Sequence, residues 1–269
     1  MPHRNPDPAT PDLTGRPAVV TGGASGIGYA IARRLAKAGS KVIVVDNDSG
    51  KLEAARRSFE HDSLGVTPWP GDLADPAAGR LADELLGVHG TIPLIVNNVG
   101  VCTGTSFYET DEDAFEHVFA TNLRGPWFFT RRLTEELIRR RESGSVLFIS
   151  SLHDHRVVYR PQYSASKAGV SQLVRELAAL LAPHGIRVNG ISPGLIDTAT
   201  IGSQDSEGQR LKARKVVPMR RGGTPDDVAR AATFLLSEAS SGYITGVNLP
   251  VDGGLALHTW HPWRAPQVG

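Results

Sequence analysis

Short apolar runs of strand length alternate with longer segments of helical period along the whole chain, and that alternation constrains the fold more than any other feature. Residues 18–21 read as a strand entering a glycine turn, and 27–38 as a helix stopped at Gly39. The run 41–46 (KVIVVD) is apolar almost throughout, as a strand buried on both faces must be. Further strands are predicted at 65–69, 94–97, 145–150, 186–191 and 247–250. Helices are predicted at 51–60, 77–88, 111–119, 125–141, 161–181 and 225–236. Strand followed by helix, repeated to the end, implies an α/β fold: a doubly wound parallel sheet of about seven strands with helices on both faces.

A chain of 269 residues suits one such domain and can bury a full core without disulfides or metals. The expected organisation is a disordered tail at 1–12, rich in proline and polar residues and without the apolar stretch of a secretory signal, then one domain over 13–269. Residues 195–224 break the strand–helix rhythm with a polar, glycine-containing stretch, read as a substrate lid rather than a merely variable surface loop. A net charge of +1 gives no footprint for nucleic acid or an anionic membrane. No apolar run approaches the ~18 residues that a membrane span needs. Cys102 is the single cysteine and can form no internal disulfide, which points to a reducing cytoplasm.

Between the first strand and first helix lies Thr21-Gly22-Gly23-Ala24-Ser25-Gly26-Ile27-Gly28. Glycines there permit a tight turn and close approach of backbone N–H groups to a pyrophosphate, and the helix adds the positive end of its dipole. This Rossmann-type reading makes Gly22, Ser25, Gly26, Ile27 and Gly28 cofactor-binding candidates, although the spacing is not G-x-G-x-x-G. Asp46 ends the second strand, where a carboxylate accepts both adenosine ribose hydroxyls and repels a 2′-phosphate. With Asn47 after it and an uncharged Ser25 in the loop, the expected cofactor is NAD rather than NADP.

Tyr163 and Lys167 stand four apart on a predicted helix and so share a face. A phenol ionises near pH 10 in water, too high for an efficient base near neutrality, and a neighbouring ammonium lowers that value. Tyr163 is therefore the candidate general acid/base, with Lys167 as its stabilising cation.

These motifs occur in the order and spacing of the classical short-chain dehydrogenase/reductases, which the chain resembles from about Leu13 to Gly254. The run TGGASGIG is similar to that family's cofactor loop, and Tyr163-Ser164-Ala165-Ser166-Lys167 to its Y-x-x-x-K. Asn97-Asn98-Val99-Gly100 resembles the family's N-N-A-G, with Val99 in place of alanine. The resemblance implies cofactor contacts from Asp72 and Leu73 near the adenine and from Asn98 and Gly100. It implies others from Pro193, Gly194, Ile196 and Thr198 beside the nicotinamide, and assigns Lys167 to the nicotinamide ribose. It also implies a catalytic set of Asn122, Ser151, Tyr163 and Lys167, with the Asn122 carbonyl holding a water in a proton relay. Ser150 and Ser151 stand thirteen and twelve residues before Tyr163; Ser151 takes the role by its second place after Ile149. By family habit the chain would be a homotetramer.

The implied activity is NAD-dependent interconversion of a secondary alcohol and a ketone. The alternatives are an NADP-linked biosynthetic ketoreductase and a non-catalytic nucleotide-binding redox sensor. Substrate signals are thinner. The loop Leu152-His153-Asp154-His155-Arg156 resembles the S-x-H-E loops of some sugar and polyol dehydrogenases, so His153 is a candidate donor to a substrate hydroxyl. Two histidines and one aspartate do not complete a zinc ligand set, and no metal is expected. Trp260 and Trp263 are candidates for packing on a second subunit.

Overall fold

In the computed structural model, which describes residues 11–103, 106–157, 159–198 and 213–257, the predicted strands form one parallel sheet. The strands are β1 (Pro17–Thr21), β2 (Lys41–Asp46), β3 (Val66–Pro70), β4 (Leu94–Asn97), β5 (Gly144–Ile149), β6 (Ile186–Pro193) and β7 (Asn248–Val251). Their order is β3-β2-β1-β4-β5-β6-β7, so the chain reverses direction across the sheet between β1 and β4. The crevice that such a reversal opens at the carboxyl ends of the strands is where ligands bind in folds of this kind. β3 carries Pro68 and Pro70, which cannot donate to a ladder, and it lies at the edge, pairing with β2 alone.

The helices are α1 (Gly26–Lys37), α2 (Ser49–His61), α3 (Ala78–His89), α4 (Glu112–Phe119), α5 (Gly125–Arg140), α6 (Pro161–Leu181) and α7 (Pro225–Leu236). Alternate strand residues feed opposite faces. Val42 and Val44 of β2 pack with Ile31 and Leu35 of α1, Leu52 and Phe59 of α2 and Val228 and Leu235 of α7. Ile43 and Val45 pack on the other side with Leu85 of α3, Phe129 and Leu133 of α5 and Val170 and Val174 of α6. Burying an apolar side chain of this size stabilises the fold by about 2 kcal/mol. β6 also carries Arg187, whose nearly buried guanidinium donates to Leu235 O (2.8 Å) and to Glu238 Oε2 (3.0 Å), tying α7 and the turn after it to the sheet. Thr224 and Asp227 form a reciprocal capping box at the start of α7.

Several expectations shift. The predicted helices 111–119 and 125–141 are joined by a π-helical turn, Ala120–Arg124, so that α4 and α5 form one continuous helical path with Asn122 in the wide turn. Asp12, assigned to the tail, belongs to the fold: its carboxylate accepts from Ser237 Oγ (2.8 Å) and Glu238 N (2.7 Å). The rest of the tail, residues 1–10, lies outside the described residues, as do Trp260 and Trp263 and residues 199–212 of the predicted lid. The lid's flanks are tied together, with Ile196 bridging to Gly223 and Asp197 N donating to Gly223 O at 2.8 Å. Among the described residues no helix is long and apolar enough to cross a membrane.

Candidate active site

The glycine loop forms one wall of a groove of about 520 Å³ at the carboxyl ends of β1, β2, β4, β5 and β6. Gly28 has no substitute there: a Cβ would stand 2.2 Å from Gly22 O and 2.5 Å from Asn98 Nδ2. Gly22 and Gly26 hold φ of +61° and +54°, the left-handed region that favours glycine. Asn98 braces the loop from β4, donating from Nδ2 to Thr21 O and Gly22 O, both at 3.0 Å. Ser25 precedes α1 in extended conformation and makes no side-chain capping bond, so the first-turn N–H groups of α1 face the groove uncapped by their own serine. At the far end lie Asp46, Asn47, Lys51 and Asp72. Asp46 accepts from Ala24 N (3.3 Å) and Asp48 N (3.2 Å), which fixes its carboxylate at the groove's edge. Asp72 accepts from Asn47 Nδ2 at 3.3 Å.

Gly22, Ser25, Gly26, Ile27, Asp46, Asp72, Asn98, Gly100, Pro193, Gly194, Ile196 and Thr198 all line this one groove, together with Ser151, Tyr163 and Lys167. The left-handed glycine turn at Gly22 and Gly26, the uncapped helix start and the carboxylate at the far end fit a dinucleotide. Gly28 and Leu73 are the exceptions. Gly28 is buried in the first turn of α1 against the Gly22 carbonyl. The Leu73 side chain is 2 % exposed and packs in the core beside α3, because the turn after Asp72 directs it inward toward the sheet.

At the reacting end the residues come from four elements. Tyr163 and Lys167 lie one turn apart on α6, with Lys167 Nζ 5.8 Å from the centroid of the tyrosine ring. Lys167 Nζ donates to Ile149 O at the end of β5 (2.8 Å). Asn122 is clamped to the segment after β4, accepting from Val101 N (2.8 Å) and donating to Val101 O (3.0 Å) and Ser166 Oγ (2.9 Å). Its side chain therefore holds the loop rather than capping a helix. Gly100 makes room for this arrangement, since a Cβ there would meet Lys167 Nζ at 3.1 Å.

Ser150 and Ser151 point to different partners. Ser150 Oγ donates to Lys167 O (3.1 Å) and pairs with Ser171 Oγ (2.8 Å), inside the protein. Ser151, which lines the groove as Ser150 does, stands beside the Tyr163 phenol and accepts from His153 N (3.2 Å). Burial pushes the Tyr163 phenol up to about 12, and the nearby Ser151 hydroxyl offsets part of the rise. Burial also pulls the Lys167 ammonium down to about 8, against the opposing charge of Asp154.

A second cavity of about 510 Å³ opens beside this point, sharing Ser151, Pro193 and Gly194 with the groove. Leu152, His153, Arg156, Val157, Arg160, Leu195, Val216 and Leu255 form the rest of its described wall. Arg156 Nη1 donates to Leu255 O. The His153 ring stands edge-on to Tyr163, with centroids 5.1 Å apart, and its Nδ1 is buried without a hydrogen-bond partner. Burial, then the charge of Arg160, lowers the His153 pKa, which keeps the ring neutral. Cys102 is exposed, and burial of its sulfur raises the thiol pKa, so it has no thiolate character. Among the described residues no group of three histidine, cysteine or acidic side chains gathers to hold a metal ion. Lys51 and Arg160 carry no motif and were not predicted. Lys51 was accessible in principle, as a cation one turn into the helix after Asp46; Arg160 gave no signal.

A family model described as Enoyl-(Acyl carrier protein) reductase matches residues 22–256. Over 254 residues the chain is 32% identical to an L-rhamnose 1-dehydrogenase (NADP(+)) of Thermoplasma acidophilum, covering 92% of this chain and 98% of that one. Over 253 residues it is 35% identical to glucose 1-dehydrogenase 2 of Bacillus subtilis, covering 92% and 97%. Among solved structures, a protein of Agrobacterium tumefaciens provisionally named a 2-deoxy-D-gluconate 3-dehydrogenase, with bound NADP, superposes with a TM-score of 0.83 at 32% identity, covering 91% of this chain and 98% of that one. The chain belongs to the classical short-chain dehydrogenase/reductase family.

Proposed function

We propose that the protein is an NAD-dependent oxidoreductase that interconverts a secondary alcohol and a ketone, with Tyr163 as general acid/base. The observation that carries this reading is the convergence of Ser151, Tyr163 and Lys167 at one end of a dinucleotide-shaped groove. Bound nicotinamide supplies the hydride acceptor or donor. Ser151 hydrogen-bonds the substrate oxygen and steadies it beside Tyr163. In oxidation Tyr163, as phenolate, takes the hydroxyl proton; in reduction, as phenol, it gives that proton back. A phenol held at about 12 is a poor acid and a scarce base at neutral pH. Bringing it to a working value of about 8 takes about 5 kcal/mol of preferential stabilisation of the phenolate. The Lys167 charge contributes to this, joined by the positive ring of the oxidised cofactor. Lys167 also binds the nicotinamide ribose, and the Asn122 carbonyl holds a water through which protons reach solvent.

Asp46 is the basis for NAD over NADP. Lys51 favours the alternative, an NADP-linked ketoreductase, because its ammonium lines the same end of the groove. The name of the Thermoplasma relative and the bound NADP of the Agrobacterium protein agree with that alternative. Asp46 outweighs Lys51 in our reading because the carboxylate is fixed by two backbone donors, whereas Lys51 pairs with Asp48 at 3.1 Å.

The substrate is a small molecule whose body occupies the second cavity. His153 meets a substrate hydroxyl there. The described wall carries two guanidinium groups and no carboxylate, which favours a substrate bearing an anionic or acceptor-rich group. Operation in the cytoplasm as a homotetramer completes the reading. Partly exposed Phe115, Trp127 and Phe128 on α4 and α5 offer apolar surface for a second copy. Calorimetry with NAD+ and NADP+, then a panel of sugars, polyols, sugar acids, hydroxy acids and steroids followed by NADH absorbance, tests the proposal. Tighter NAD+ binding with turnover of one class supports it. Preference for NADP+, or no turnover of any alcohol or corresponding ketone, contradicts it.

A further inference from the structure

Asp154 is buried, its side chain only 6% exposed, although hydride transfer calls for no carboxylate at that place. Its Oδ2 accepts from Ser171 Oγ (2.5 Å) on α6 and from Ser192 Oγ (3.1 Å) at the end of β6. Its Oδ1 meets Nδ1 of half-exposed His155. Its backbone N–H donates to Ser151 O at 3.0 Å. Ser171 lies one helical turn beyond Lys167, and its hydroxyl meets Ser150 Oγ (2.8 Å), which in turn bonds the Lys167 carbonyl (3.1 Å). Ser192 directly precedes Pro193 and Gly194 of the groove. One carboxylate thus ties together the three segments that carry Ser151, the Tyr163–Lys167 helix and the nicotinamide side of the site.

Its charge matters as much as its bonds. Lys167 is an ammonium in a nearly dry place, 3 % exposed, and the group it donates to is a neutral carbonyl, Ile149 O. A buried cation without an opposite charge nearby sheds its proton. The charged and titratable groups around the pair are His155 and His153 on the loop, Cys102 after β4, Arg160 ahead of α6 and Tyr163 on it. Of these and Asp154, only the aspartate is a carboxylate, and its partner Ser171 lies one turn from Lys167 on the same helix.

We infer that Asp154 is a positioning residue, the buried counter-charge that keeps Lys167 an ammonium while pinning the Ser151 loop against the helix of Tyr163. The inference rests on Lys167 acting as proposed, but its test needs no turnover. The chain has six lysines, so ¹³Cε-lysine NMR resolves each, and Lys167 is assigned by its absence from the Lys167→Met spectrum. In Asp154→Asn the Lys167 titration midpoint falls by a pH unit or more, a tenfold rise in its acid constant. Asp154→Ser, which keeps a hydroxyl for Ser171 and Ser192, gives the same shift should the amide disturb the turn. Ser171→Ala retains the charge and leaves the midpoint within about 0.3 unit. A midpoint unmoved or raised in the folded Asp154 variants overturns the inference. So does loss of cooperative folding in both, since Asp154 would then be structural only. Should the titration shift as expected while Tyr163→Phe retains full turnover, the proposed mechanism fails and the counter-charge stands.

Discussion

Lys167 Nζ lies 5.8 Å from the centre of the Tyr163 ring, one helical turn away on α6, and the two groups depart from their ordinary ionisation in opposite directions. Burial raises the phenol to about 12 and lowers the ammonium to about 8. Burial disfavours the charged form of each group, and a charge on either one favours the opposite charge on the other. The pH behaviour of the site follows from both.

Alcohol oxidation requires the phenolate, so its rate rises with pH on the acid side and levels off as the pair reaches its ionised form. Ketone reduction requires the phenol, so its rate falls over the same range. Profiles of kcat/KM in the two directions check this; parallel profiles would contradict it.

Burying Lys167 charged costs stability. Its folded value, about 8, lies below the 10.5 of the exposed group. Between those values the unfolded chain binds more protons, so stability rises with pH across that window. Below it the full penalty applies, on the order of 3 kcal/mol. Lys167→Met removes the penalty and also the bond to Ile149 O, and should leave the protein about 2 kcal/mol more stable at pH 7. The gain shrinks as pH approaches 10.5. Urea denaturation at several pH values measures it, and a loss of stability at pH 7 would refute it.

Gly28→Ala places a methyl group 2.2 Å from the Gly22 carbonyl, a backbone atom that cannot rotate away. The loop must shift, at a cost of about 2 kcal/mol or more, and the pyrophosphate cradle is lost with it. Denaturation and calorimetry with NAD+ should show lower stability and at least tenfold weaker binding. Unchanged binding would remove the loop from the cofactor site.

Asp46→Asn keeps the hydrogen bond acceptor that Ala24 N uses but removes the charge that repels a 2′-phosphate. The ratio of NAD+ to NADP+ affinity should fall by about tenfold, with Lys51 supplying the attraction. A ratio that does not change would leave cofactor choice to other residues.

Arg160→Gln should raise KM about tenfold for a carboxylate-bearing alcohol and leave a neutral analogue within twofold. Equal effects on both would show that Arg160 shapes the loop rather than recognising charge.

Strand–helix alternation was legible because parallel strands buried on both faces must be apolar throughout, as in KVIVVD. The groove was legible because its glycines and Asp46 are fixed by position within a βαβ unit. What stayed hidden depends on side-chain direction. Ser150 and Ser151 are adjacent in sequence, yet one turns inward to Lys167 O and the other to Tyr163. Leu73 follows a groove residue but turns into the core. Asp154 reads as a polar loop residue among histidines, and only the fold brings Ser171 and Ser192 around it.

The central claim is best tested by Tyr163→Phe, which removes one oxygen and retains the ring that packs on His153. Turnover of the best substrate should fall about 1000-fold, with NAD+ affinity within threefold of wild type. Turnover near the wild-type rate, with cofactor bound normally, would contradict the assignment of Tyr163 as the acid/base.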